Sequence, residues 1–90
     1  MAIFAVIAPP DNSTLGSILE AQYANNFLRV WNNQWIISAN GTPKDISDKL
    51  GVSDGSAGTA MILLVTSYWG RANPDFWQWM SERLSSQVSR

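Results

Sequence analysis

The chain has 90 residues, six Lys or Arg against seven Asp or Glu, a net charge of −1, five tryptophans, and neither histidine nor cysteine. The missing cysteine excludes disulfides, thiolate chemistry and cysteine-held metals, and the missing histidine removes the usual general base and the commonest nitrogen ligand. The near-neutral charge argues against broad electrostatic capture of nucleic acid, which gains its affinity from clustered Lys and Arg.

The length fits one domain over residues 1–90, and a domain this small buries only roughly 60–65% of its unfolded surface, so a partner would add to its stability. Residues 2–8 (Ala-Ile-Phe-Ala-Val-Ile-Ala) form a continuous apolar run ended by Pro9 and Pro10, which predicts a central strand that stops where proline removes ladder donors. This run lacks a basic n-region and is far short of the roughly 20 residues needed to span a bilayer, so the expectation is a cytoplasmic protein without membrane contact. Asn12 or Ser13 is placed to cap a helix whose one face carries Leu15, Ile18, Leu19, Gln22 and Tyr23.

Asn25 and Asn26 end that helix, and residues 27–39 read as a β-hairpin turning at Asn32 and Asn33, which tolerate positive φ. Alternation places Leu28 and Val30 on one face and Phe27, Arg29 and Trp31 on the other. Thr42, Pro43 and Asp45 predict a helix start, with Ile46 and Leu50 facing inward and Gly51 closing the helix in the left-handed conformation. Residues 53–58 (Ser-Asp-Gly-Ser-Ala-Gly) read as a flexible hinge or connector. They lack the Lys-Ser/Thr ending of a phosphate loop and lead into a strand where a phosphate loop leads into a helix.

The unbroken apolar run 60–65 (Ala-Met-Ile-Leu-Leu-Val) predicts the most buried strand, covered on both faces. A Tyr68-Trp69-Gly70 corner then leads to a helix marked by Asn73 and Pro74, with Phe76, Trp77, Met80 and Leu84 along one stripe. Trp77 and Trp79 point about 160° apart on such a helix, so Trp79 falls outside that stripe.

The order β-α-β-β-α-β-α predicts an α+β fold: a ferredoxin-like β-α-β-β-α-β sandwich, with a four-stranded antiparallel sheet and an extra C-terminal helix. The first and last strands are apolar on both sides, while the two main helices cover one face. Either the C-terminal helix crosses the second face or a second copy of the chain packs there, which makes a homodimer the natural expectation.

The opening Met-Ala-Ile-Phe-Ala-Val-Ile, the segment Gln34-Trp35-Ile36-Ile37-Ser38, the Thr42-Pro43 helix start, and Val65-Thr66-Ser67-Tyr68-Trp69-Gly70 followed by Phe76-Trp77-Gln78-Trp79-Met80 resemble the small bacterial SinR-like proteins. Their ferredoxin-like fold is similar to that of Cas2 and VapD. The resemblance covers nearly the whole chain and implies a homodimer. It also implies, for the members that act as nucleases, an Asp at the end of the first strand that holds Mg²⁺. At that point this chain has Ala8-Pro9, and its first carboxylate is Asp11, beyond two prolines. Asp11 is a displaced metal ligand under the nuclease reading, where Mg²⁺ needs one or two carboxylates plus water and phosphate. Otherwise it begins a turn or caps the first helix.

Two binding candidates remain. Trp79 with Arg83 at i+4 offers a cation–π pair and an anchor for a partner, or covers the sheet edge or dimer seam. Phe27, Arg29 and Trp31 have the composition of a sheet face that stacks single-stranded nucleic acid, or are buried in the dimer. Tyr68, Arg71 and Asp75 are candidates to meet near the corner around a polar ligand, with no catalytic pattern among them, and Asp75 is also explained as a first-turn acid. The expected function is a non-catalytic homodimeric interaction or scaffold module without a cofactor and with an unidentified protein partner. The alternatives are a Mg²⁺-dependent endonuclease of Cas2 or VapD type and a binder of single-stranded nucleic acid.

Overall fold

In a computed structural model the chain is described over residues 2–67 and 74–87, with side chains described to Glu82. The elements run in the order β1 (Ala2–Ile7), α1 (Leu15–Gln22), β2 (Phe27–Trp31), β3 (Gln34–Ala39), α2 (Pro43–Leu50), β4 (Met61–Val65) and α3 (Pro74–Gln87). The four strands form one antiparallel sheet in the order β2-β3-β1-β4, the α+β class expected. Each of the connections β1-α1-β2 and β3-α2-β4 passes over one strand before returning to the sheet.

Period-two alternation of the strands divides the interior into two layers. On one face Phe4, Val6, Trp35, Ile37 and Ala39 pack with Leu15, Leu19, Tyr23, Ile46 and Leu50 of the first two helices. On the other, Ile3 and Ile36 meet Met80 of α3, flanked by Leu28, Val30, Val65, Phe76 and Trp79. The C-terminal helix therefore covers part of the second face. Its seam is Phe76, Trp79 and Met80 at i, i+3, i+4, which corrects the stripe drawn through Trp77. Trp77 is half-buried and lies against Phe76, with ring centroids 5.0 Å apart. The Leu84 and Arg83 side chains, and Tyr68, Trp69, Gly70 and Arg71, lie outside the described set.

Local chemistry accounts for the helix ends. Thr42 Oγ1 accepts from the Asp45 amide at 3.2 Å, Asp45 Oδ2 accepts from the Thr42 amide at 2.9 Å, and Pro43 opens the helix, so α2 begins with a reciprocal capping box. Gly51 ends it at φ 86°, a left-handed conformation that favours glycine, and a Cβ there would also displace the Ser56 hydroxyl, 2.5 Å away. Gly16, inside α1, is under no such constraint. A Cβ there would sit 3.4 Å from the Trp35 ring, an ordinary van der Waals contact, so the site has room for alanine.

One further expectation is overturned. The apolar run 60–65 does not form the most buried strand. β4 is an edge strand, with Met61 56%, Leu63 42% and Leu64 49% exposed. An apolar run reports what a strand is suited to lie against, but position is set by connection, and the crossover through α2 carries β4 outside β1. The segment 53–58 connects α2 to β4, as expected of a connector, and it is internally bonded. Ala57 is buried and its amide donates to the Gly51 carbonyl at 2.8 Å, while Asp54 accepts from the Ser56 amide at 2.9 Å. That bond holds the Asp54 carboxyl below its ordinary range.

Tyr23 closes α1 against the core with its hydroxyl buried and without a hydrogen-bond partner among the described residues, while Lys49 Nζ lies 5.3 Å from the ring centre. Leaving such a group unpaired costs about 1–3 kcal/mol. Tyr23→Phe is therefore expected to raise the unfolding free energy by about 1 kcal/mol, a gain of about 4–8 °C in melting temperature for a domain of this size. Burial also raises the phenol pKa above its ordinary value. Above pH 10 the unfolded chain then ionises first, so the native chain should lose stability as pH climbs past 10, and Tyr23→Phe should lose less. Thermal melts of both proteins from pH 7 to 11 check sign and window.

Candidate functional site

The loop between β1 and α1 is built around Asn12. Its Oδ1 accepts from the amides of Thr14 and Leu15, both at 3.1 Å, in the turn that leads into α1, whose N-cap position is Thr14. Its Nδ2 donates to the carbonyls of Ala57 and Thr59, both at 3.0 Å, and its own carbonyl accepts from Asn33 Nδ2 at 2.9 Å. Asn33, buried at φ 54° in the hairpin turn, also donates to the Pro9 carbonyl at 2.6 Å and accepts from the Ala8 amide at 2.9 Å. Two asparagines thus tie together the end of β1, the hairpin turn and the entry to β4. Local sequence rules offer Asn12 or Ser13 as the cap, where the structure has Thr14, and place the hairpin turn at Asn32 and Asn33. The long-range bonds have no local signal, because they join residues 21 to 47 positions apart.

Asp11 lies exposed on this scaffold and lines an open, polar cleft of about 450 Å³ with Pro9, Asn12, Ser13, Thr14 and Gly58. Its carboxylate and the neighbouring hydroxyls are oxygen donors of the kind a hard cation takes. Among the described residues no group of three or more Asp or Glu gathers in one place. A second cleft of about 470 Å³ adjoins the first through Asn12 and Ser13 and carries Glu20, Phe27, Arg29 and Trp35 on its walls.

The hairpin trio does not share a face. Phe27 stands opposite Ile37 and Arg29 opposite Trp35, on the side of the first two helices, but the register shifts between Arg29 and Trp31 and sets Trp31 opposite Gln34. One extra residue in a strand reverses the facing of the residues beyond it. Trp31 is therefore turned to the side of α3, 61% exposed, while Arg29 Nη2 donates to Asn32 Oδ1 at 2.7 Å. Trp79 packs against the Ile3, Ile36 and Met80 cluster, and its pairing with Arg83 falls outside the described side chains.

Among the described residues, Met61, Leu63 and Leu64 on β4, Ile7 at 39% on the neighbouring β1, and Trp31 at 61% on the far edge strand β2 are large apolar side chains that face water. Exposed side chains of this size mark sites of association more often than sites of chemistry.

Fold and surface together define a small α+β domain with a four-stranded antiparallel sheet, helices on both faces and an open apolar edge. No family profile, curated protein or solved structure matches the chain. Among the described residues no helix is long and apolar enough to cross a membrane.

Proposed function

We propose that the chain is a non-catalytic, homodimeric interaction module of ferredoxin-like arrangement that presents a macromolecular partner with a paired surface. The observation that carries this reading is the apolar surface of β4, with Met61, Leu63 and Leu64 between 42% and 56% exposed. The order β2-β3-β1-β4, with each crossover passing over one strand, supports the ferredoxin-like assignment. The sequence resemblance to SinR-like proteins, and through them to Cas2 and VapD, belongs to the same proposal, as does a cytoplasmic location.

The competing reading is a Mg²⁺-dependent endonuclease with Asp11 as metal ligand. It draws on the place of Asp11 in the cleft beside Ser13 and Thr14. Labelled RNA and double-stranded DNA incubated with the protein and Mg²⁺ or Mn²⁺ separate the two. The interaction module leaves both substrates intact, or cut no faster than by Asp11→Ala protein. Metal-dependent cutting abolished by EDTA and by Asp11→Ala would establish the nuclease and end the non-catalytic reading.

A further inference from the structure

We infer that the outer edge of β4 is the seam of a two-fold dimer, in which β4 of one copy pairs antiparallel with β4 of the other and the two sheets continue as one. This rests on the homodimer reading and names the surface it uses.

Three observations lead there. Met61 and Leu63 stand opposite Ile7 and Ala5 on the α3 side of the sheet, whereas Leu64 stands opposite Phe4 on the side of the first two helices. Exposed apolar side chains therefore occur on both faces of one strand. A partner resting on either face would cover one set and leave the other wet, while a strand added at the edge sets side chains beside both.

The two edges of the sheet also differ. β2, at the far edge, carries the cation Arg29 and a register shift between Arg29 and Trp31, both of which discourage strand addition. Residues 59–67, around β4, contain no charge and no proline, and among the described residues no strand pairs with the outer side of β4. One guarded edge and one open edge favour a closed pair over a fibre, because the open edge is used up once two copies meet.

Finally, the strand fits itself. A two-fold axis at Leu63 sets Leu63 against its own copy, Met61 beside Val65 and Ile62 beside Leu64, with no like charges opposed along residues 59–67. Among the described strands only β1 is comparably apolar on both faces, and β1 is already paired on both sides by β3 and β4.

The chain has no cysteine, so a single introduced thiol reports the seam. Residues directly opposed in an antiparallel pair have Cα atoms about 4.5–5.5 Å apart, within disulfide reach. Leu63→Cys protein oxidised with diamide should form a covalent dimer at least about tenfold faster than Trp31→Cys protein, because pairing raises the local thiol concentration. Trp31 is the more exposed of the two positions, so accessibility alone would give the opposite order. Leu63→Glu and Leu63→Lys should each be folded monomers by circular dichroism and sedimentation, and mixing them should restore a dimer. Equal linking rates, or charged variants that stay dimeric, would overturn the β4 seam while leaving the homodimer reading in place. An unmodified protein that is monomeric at every concentration would overturn both.

Discussion

Phe4→Ala is expected to lower the unfolding free energy by about 3–5 kcal/mol. Phe4 is fully buried in β1, between Ile37 of β3 and Leu64 of β4, beneath the first two helices. Its replacement removes the ring's transfer free energy and leaves a cavity that the surrounding strands can close only in part, since β1 is held on both sides. A 90-residue domain has a total stability of roughly 5–13 kcal/mol, so the variant loses a large fraction of its margin. Urea denaturation gives the number directly. A loss under about 1 kcal/mol would mean that the sheet is not packed around β1 as described.

Asn12→Ala should cost about 2–3 kcal/mol, more than any helix cap alone, because one side chain serves two amides and two carbonyls. Asn12→Asp separates the two roles. It keeps the acceptor for Thr14 and Leu15 but turns a carboxylate toward the Ala57 and Thr59 carbonyls, where the native amide donates. That substitution should cost about 1–3 kcal/mol at pH 7, and the deficit should shrink as pH falls below the carboxylate range, since a protonated carboxyl can donate again. Denaturation of native and variant proteins at pH 7 and at about pH 2.5, below the ordinary aspartate range, measures both effects. If Asn12→Ala costs only the roughly 1 kcal/mol that local, cap-type bonds supply, the bonds to the loop before β4 contribute nothing.

The fold is legible in this sequence wherever a local rule sets the outcome. Pro9 and Pro10 stop β1, Asn32 and Asn33 turn the hairpin, and Thr42, Pro43, Asp45 and Gly51 bracket α2, each through geometry contained in a few residues. The features that are not legible depend on long-range arrangement. The run 60–65 announces a strand apolar on both faces but not its place at the edge, which is set by the crossover. The shift between Arg29 and Trp31 separates three residues that strict alternation unites, and a bulge leaves no mark in the alternation itself. On α3, helical spacing permits either Trp77 or Trp79 beside Phe76 and Met80, and the sheet beneath selects Trp79.

The candidate surface becomes visible through that same mismatch between composition and position. A strand that reads as interior and lies at an edge has the composition of a core without the cover of one. Sedimentation equilibrium of the unmodified protein over a wide concentration range tests the homodimer most directly. The expected weight-average mass rises with concentration to twice the monomer value and stops there. A mass fixed at the monomer value throughout would contradict it.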